Sequence, residues 1–237
     1  MFDQREFDIR CEWGAEGVSH LAPISDAVVI VDVLSFSTCV DIAVSRGAVV
    51  YPYHLRDDSA AYAQQVQAIL ARTDRQANDG YSLSPASLLG IPAGTRLVLP
   101  SPNGATLSLL AGDTATFAGC LRNASAVAQA AQRQGRYISV IPAGERWKTN
   151  GTLRPALEDL VGAGAVIHYL RGAKSPEAEI AEIAFLHFKE SLLTCLRQIG
   201  SGKELIAAGF EQDVELVALL NQSDSAPRLK DRGYVSE

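Results

Sequence analysis

The chain of 237 residues lacks the motifs that mark several common classes of enzyme. It has no GxxxxGK[ST] phosphate-binding loop and no GxGxxG turn after a predicted strand, which argues against a P-loop or a dinucleotide site. It has no GxSxG turn to carry a serine nucleophile. A catalytic or binding site must therefore be assembled from other residues.

Cysteines, long apolar runs and positive charge are also scarce. The four cysteines have no CxxC spacing and lie among apolar residues, which predicts reduced, packed thiols without a catalytic, disulfide or zinc-binding role. No apolar run is long enough to span a bilayer and the N-terminus does not resemble a signal peptide, so we expect a cytoplasmic protein. A net charge of −6 argues against a nucleic-acid or anionic-membrane surface.

What the chain does contain is an alternation of short β-rich runs with helical patterns. This order predicts an α/β fold with a mixed, partly parallel sheet covered by helices, either as one unit over residues 1–237 or as two closely packed subdomains. The six predicted strands are "EFDIRCEW", "DAVVIVDV", "GAVVYPY", "TRLVLPS", "TATFAGC" and "RYISVIPAG". The first alternates in polarity and is expected at an edge, whereas the second is apolar on both faces and is expected to be buried.

Helical spacing recurs between and after these strands. The predicted helices are "DDSAAYAQQVQAILAR", "NASAVAQAAQRQ", "LRPALEDLVGAGAVI" and "PEAEIAEIAFLHFKESLLTCLRQI". The polar segment 72–94 is long for a connection and is expected to be a lid or binding loop. The polar, proline-bearing residues 222–237 are expected to form a tail over the surface.

Polar turns follow four of the predicted strands directly, at residues 32–38, 101–106, 121–125 and 142–147. The carboxyl ends of strands in an open α/β sheet form one edge, where helix N-termini favour bound anions. Each turn alone is typical of a helix cap or a tight turn. Together they predict an anion-binding edge.

Carboxylates in these turns predict a metal site. Asp32 follows the apolar run "VVIV", where its charge must be paired, capped or bound to a metal. Glu145 and the neighbours Glu158 and Asp159 are further candidates, and only one of those two neighbours can face a given ion because consecutive helical residues point about 100° apart. Oxygen ligands without matched His or Cys favour Mg²⁺ and, with it, phosphoryl chemistry.

At the level of whole motifs, the chain resembles the 2-phosphosulfolactate phosphatase family. The resemblance is carried by "VDVLSFST", "SPNGAT", "GCLRNASAVA", "VIPAGERW", "LRPALEDLVGAGAVI" and "SGKELIAAGFEQDVELVALLNQS", in order from about residue 5 to about residue 227. It implies an α/β fold distinctive to that family. It also implies a Mg²⁺-dependent hydrolase that removes phosphate from 2-phosphosulfolactate in coenzyme M biosynthesis.

The sequence departs from the family pattern in three motifs. Ser35 in "DVLSFST" stands where many members have the arginine of "DVLRAST". "PSPNGAT" replaces "TTNGT", and "ARTDRQANDGYSLSP" replaces a basic "GER" stretch followed by "GNSP". These changes remove or move cations that hold a sulfonate or carboxylate, so the phosphatase chemistry can transfer while the substrate differs.

The predicted site therefore has an acidic and a substrate-binding part. Asp32 and Glu145 are expected to bind Mg²⁺, with Asp159 or Glu158 as a further ligand, and either an activated water or Asp32 itself is the nucleophile. The expected contacts to the phosphoryl group and the acid end of a small anionic phosphate ester are Ser35, Ser37, Thr38, Asn103, Gly104, Arg122, Asn123 and Arg146. The competing function is a non-catalytic binding protein for a phosphorylated or dicarboxylic metabolite. The possibility of a homo-oligomer stays open.

Overall fold

The computed structural model describes residues 4–54, 58–75 and 80–237. A nine-stranded sheet and a two-stranded sheet are flanked by helices, which confirms the predicted α/β class. The strands are β1 Ile9–Cys11, β2 Ala27–Val31, β3 Val49–Tyr53, β4 Ile69–Leu70, β5 Arg96–Pro100, β6 Ala115–Gly119, β7 Ile138–Pro142, β8 Glu145–Arg146, β9 Leu153–Arg154, β10 Pro227–Lys230 and β11 Gly233–Ser236. The helices are α1 Gly14–Leu21, α2 Phe36–Ser45, α3 Ser59–Gln65, α4 Gly104–Leu110, α5 Ala124–Gln132, α6 Leu157–Tyr169, α7 Pro176–Phe188, α8 Leu192–Gln198, α9 Gly200–Ala207 and α10 Glu211–Val217.

The large sheet has the order β1-β7-β2-β6-β10-β11-β3-β5-β4. Its first four strands are parallel to one another, and so are its last three. The hairpin β10–β11 lies between these two groups and pairs antiparallel with β6 on one side and β3 on the other. The sheet is therefore mixed because one hairpin joins two parallel groups.

The burial and position of β1 and β2 explain why both strands could be predicted from their sequence patterns. All five residues of β2 are buried, and the strand lies between β7 and β6 with its apolar side chains packed on both faces. β1 lies at the end of the sheet order, as its alternating sequence predicts. The core forms around β2, and the residues that follow this strand are held by well-packed neighbours.

The expectation of a surface tail over residues 222–237 is wrong, because β10 and β11 are strands inside the large sheet. Their two loop residues, Asp231 and Arg232, have φ angles of 49° and 66°. Tight hairpins need such angles, but Asn-Gly is their usual sequence signal, and "DR" lacks it. Tyr234 of β11 is fully buried and donates a hydrogen bond from its hydroxyl to Ser108 Oγ at 2.7 Å.

Several helices differ from their predicted lengths. The pattern beginning at "PEAEIAEI" divides into α7 and α8, with a 3₁₀ turn at Lys189–Ser191 that lets Leu192 and Leu196 pack into the core. α3 ends at Gln65, and Gln67 has a φ of 51°, which a helix cannot continue through. The helical patterns in the sequence did not predict α1, α4, α9 or α10. No helix in the described ranges has the length and apolar character needed to cross a membrane.

The predicted lid or binding loop, residues 72–94, is in large part packed against the protein. Its residues 76–79 lie outside the described part of the chain. Beyond them Pro85–Leu88 forms a 3₁₀ turn, and Leu88 and Ile91 are buried in a core shared with α2 and β5. These apolar anchors fix the loop's second half, so that its described polar residues have defined positions.

Candidate functional site

The site is built around Asp32, the first residue after β2. Its side chain is only 6% exposed and joins the turn before α2 to the turn before α4. Oδ1 accepts a hydrogen bond from Phe36 N at 3.2 Å, and Oδ2 accepts one from Gly104 N at 2.8 Å. Burial raises the pKa of Asp32 to about 6, helped by the charge of Glu145 and opposed by the two amides and Arg75.

A second buried carboxylate, Asp159 in the first turn of α6, is held in the same manner. Its Oδ1 accepts from Val33 N and its Oδ2 from Gly144 N, both at 2.8 Å. Burial and then the nearby charges of Asp32 and Glu158 raise its pKa well above the ordinary value. The structure thus brings Asp32 and Asp159 together and uses each to fix two backbone amides.

The turn "SPNG" connects Asp32 to Glu145. Asn103 Nδ2 donates to Glu145 Oε1 at 2.9 Å, while the next residue, Gly104, donates its amide to Asp32. Only glycine fits here, because a Cβ on Gly104 would lie 2.4 Å from Phe36 Cδ1 and 2.8 Å from Asp32 Oδ2. Glu145 begins β8 and is exposed. One turn therefore holds a buried and an accessible carboxylate next to each other, and the Asn103 side chain and Gly104 amide, predicted to contact a phosphoryl group, donate to these carboxylates instead.

Glu158 lies on the inner side of this group. It is 5% exposed, and its charge raises the pKa of both Asp159 and Cys195. This influence places it close to the α8 residue Cys195 as well as to Asp159. Of the two neighbours, Asp159 is thus the one whose oxygens contact the turns at the site, and Glu158 is next to it inside the fold.

The predicted hydroxyl ligands are largely used by the backbone. Ser37 Oγ donates to Ile30 O and accepts from Asp32 N, and Thr38 Oγ1 donates to Val33 O. Both residues are completely buried. Asn123 is buried as well, and its side chain bonds Cys120 N and Ala118 O. These three residues shape the turns after β2 and β6, whereas the hydroxyl of Ser35 accepts a hydrogen bond from Arg75.

The two arginines predicted to bind substrate occupy different environments. Arg122 is buried, donates from Nε to Asp41 Oδ2 at 3.0 Å and from Nη1 to Leu216 O, and so ties α2 to α10. Arg146 is exposed on the β8–β9 hairpin, next to Glu145, and donates to Gly151 O. Only Arg146 of this pair adjoins the acidic group.

A third cation, Arg75, was not singled out from the sequence. Its Nη2 donates to Ser35 Oγ at 3.1 Å, and its charge lowers the pKa of Asp32. With Leu34, Glu145 and Phe210 it lines a cavity of about 280 Å³, which we call the Arg75 pocket. No helix, strand or motif marks Arg75, and the only signal was its place in a long polar segment.

The described residues do not form a preformed metal cage: no three of their His, Cys, Asp and Glu side chains meet in a way that would hold an ion. Mg²⁺ needs less than that, since it commonly binds one or two carboxylates and keeps water and phosphate oxygens. Asp32 and Glu145 fit this requirement, because each Asp32 oxygen accepts one hydrogen bond and keeps a further lone pair, and Glu145 accepts both of its hydrogen bonds at Oε1, from Asn103 Nδ2 and Arg146 N, which leaves Oε2 for an ion.

Fold and site together define an α/β protein with paired carboxylates beside the end of a central strand. The family model of 2-phosphosulpholactate phosphatase matches residues 16–232. The chain belongs to that family. A "Probable 2-phosphosulfolactate phosphatase" of Carboxydothermus hydrogenoformans is 30% identical, over 85% of each chain. The "2-phosphosulfolactate phosphatase" of Methanothermobacter thermautotrophicus is 27% identical, over 87% of this chain and 88% of the relative.

Proposed function

We propose that this protein is a Mg²⁺-dependent phosphatase of small acidic phosphate esters, with 2-phosphosulfolactate as the first candidate substrate. The reaction adds water across the ester and releases inorganic phosphate and the hydroxy acid, sulfolactate. Family membership supports the reaction class. The names of the relatives suggest the substrate. Coenzyme M biosynthesis, the pathway that the sequence resemblance implies, would use the product.

The observation that carries the proposal is the turn that joins the two carboxylates. Asn103 bonds Glu145 and Gly104 bonds Asp32, so two consecutive residues hold the two acids, and Glu145 lines the Arg75 pocket. A purely structural use would account for Asp32 and Asp159, which secure backbone amides. It does not account for the exposed Glu145 held beside them at an electrostatic cost.

Asp32 and Glu145 would hold the ion, and Asp159 is the nearer of the two remaining acids. When bound, Mg²⁺ neutralises phosphate oxygens and activates a water for attack. The protein's own part is to keep the two carboxylates oriented: Gly104 N and Phe36 N hold Asp32, and Asn103 holds Glu145. Arg146, exposed beside Glu145, is placed to contact the phosphoryl group.

We further propose that water, rather than Asp32, attacks phosphorus. Both oxygens of Asp32 already accept a backbone hydrogen bond, which fixes the carboxylate and reduces its nucleophilicity. A reaction quenched during turnover, reduced with borohydride and analysed by mass spectrometry of the peptide that contains Asp32 tests this. We expect Asp32 to be unmodified, whereas its reduction to homoserine would establish the acyl-phosphate route instead, because borohydride reduces an acyl phosphate but not a free carboxylate.

The function itself is tested by phosphate release from a panel of small phospho-acids and neutral phosphate esters, with Mg²⁺ and with excess chelator. We expect Mg²⁺-dependent release that is fastest for an ester bearing a second acid group. Glu145→Gln should remove most of this activity, and Glu177→Gln, which changes an exposed acid on α7, is the matched control. Binding of the same esters without phosphate release by the wild-type protein would instead identify a metabolite-binding protein.

A further inference from the structure

The turn after β2, residues 32–35, carries no cation of its own, but an arginine from another segment lies beside it. Ser35 follows Leu34 in the turn after β2, and its hydroxyl carries no charge. Arg75 comes from the polar loop after β4 and donates from Nη2 to Ser35 Oγ at 3.1 Å. A guanidinium thus stands next to Ser35, although it is contributed by another part of the chain.

Arg75 is held in place from behind by a buried acid. Its Nη1 lies 3.6 Å from Asp213 Oδ2, and the side chains are 22% and 1% exposed. Asp213 belongs to α10, and its Oδ1 accepts from Ser84 Oγ at 2.7 Å and from Ala86 N at 3.0 Å. The contact between Arg75 and Asp213 is electrostatic only, since within the described residues neither Nη1 nor Oδ2 has a hydrogen-bond partner.

Arg75 is also a lining residue of the Arg75 pocket. Glu145 and Glu204 also line this cavity, and Arg75 is the single cation among its described lining residues. The charge of Arg75 also reaches Asp32, whose pKa it lowers. A ligand that placed its phosphate at Asp32 and Glu145 would therefore have its remaining acid group within the field of Arg75.

We propose that Arg75 binds the second acidic group of the substrate, a sulfonate or a carboxylate, and so supplies the charge that Ser35 lacks. This inference rests on the proposed phosphatase function. A guanidinium fork matches the oxygens of either acid and gives a charge-assisted contact. Asp213 positions Arg75 without satisfying its hydrogen-bonding capacity, and Ser35 fixes the rotation of the guanidinium.

The first experiment compares kcat/KM for 2-phosphosulfolactate, phospholactate and p-nitrophenyl phosphate in wild type and Arg75→Leu. We expect Arg75→Leu to lower the value for the sulfonated ester by about tenfold or more relative to the neutral ester, through KM, as for loss of one charged contact. Arg133→Leu removes an exposed guanidinium at the C-terminal end of α5 and should change none of the three values. An equal loss on all three esters would overturn the inference and place Arg75 at the phosphoryl group.

A purely structural role for Arg75 is distinguished from substrate recognition by also changing its buried partner, Asp213. Arg75→Leu leaves the buried negative charge of Asp213 without its cation and should lower Tm. In Arg75→Leu/Asp213→Asn that charge is also removed, so Tm should return towards the wild-type value. We expect substrate discrimination to stay lost in this double variant and to recover in part in Ser35→Arg/Arg75→Leu, which returns a guanidinium to the same place. Return of discrimination together with Tm in the Asp213→Asn double variant would contradict the inference.

The two proposals can fail separately. If no ester of the panel releases phosphate, the phosphatase proposal fails, and calorimetric binding of sulfolactate to wild type and Arg75→Leu then tests Arg75 by itself. Binding that is weaker by about tenfold in Arg75→Leu supports the anion site without catalysis. Equal binding to the two proteins, or binding to neither, overturns it.

Discussion

The acidic and basic sides of the candidate site are held by different kinds of structure. Asp32 and Asp159 lie at the ends of core elements, and each is fixed by two backbone amides. Arg75 and Arg146 lie on a loop and on a small hairpin, and each is held by few contacts. If both proposals hold, the core fixes the chemistry, whereas the peripheral segments set which acid is recognised. Such segments can change without disturbing the fold.

The largest effect is expected on the acidic side. Asp32→Asn and Glu145→Gln should each weaken Mg²⁺ binding and lower kcat by about 10² or more, on the order of losing the charge stabilisation of a catalytic ion. Phosphate release over a Mg²⁺ titration measures both quantities. The circular dichroism spectrum should be that of wild type. Wild-type rate and metal affinity in both variants would refute the assignment.

Arg122→Leu tests the same comparison between core and periphery with a cation that belongs to the core. Its partner Asp41 is completely buried, so this change should cost about 3–5 kcal/mol of unfolding free energy. Denaturant titration gives that number. At a temperature where the variant is folded, its preference among phosphate esters should equal that of wild type, and a changed preference would return Arg122 to the substrate site.

A smaller effect should follow from disturbing the turn between the two carboxylates. Gly104→Ala forces a methyl group against Phe36 and Asp32. We expect a loss of about 1–3 kcal/mol in stability together with reduced activity, since the Asn103–Gly104 turn must move away from both acids. Gly90→Ala is the matched control, because no atom lies within 4 Å of its added Cβ. Equal Tm and activity in the two variants would show that the turn has room to adjust.

The smallest effect is expected at the cysteines. All four are free and buried, and burial raises the pKa of Cys120 to about 12, which keeps its thiol protonated and unreactive. Replacing each cysteine by alanine should leave specific activity within about a few-fold, with stability losses that follow packing. Loss of activity in one folded variant would assign that thiol a role in the site.

The sequence identified the residues whose placement follows from a local physical demand. Asp32 is such a case, because a charge directly after an apolar strand must be compensated, and the strand itself is clear from its pattern. Ser37 and Thr38 show the limit of that reasoning. A hydroxyl before a helix has the same sequence signal whether it binds a ligand or a carbonyl, and here the carbonyls of Ile30 and Val33 take both.

Pairings between distant segments could not be predicted from the sequence, because they leave no local signal. Nothing in the turn "DR" reveals the hairpin β10–β11, since its angles are ones that glycine and asparagine usually signal. Arg75 meets Ser35 only after the polar loop folds back over the end of β2, and no spacing along the chain records that meeting. Local patterns thus predicted strands and strand ends, and the contacts between distant segments required the structure.

The hairpin β10–β11 has a consequence for how the molecule folds. The large sheet closes only when Arg228 pairs with Phe117 and Tyr234 pairs with Val50, residues from distant parts of the chain. Contacts of such long sequence separation form slowly. Until they form, β6 and β3 each present an open edge, and a hairpin from another copy of the chain can occupy it. Refolding at high protein concentration should therefore favour exchange of the β10–β11 hairpin between copies of the chain.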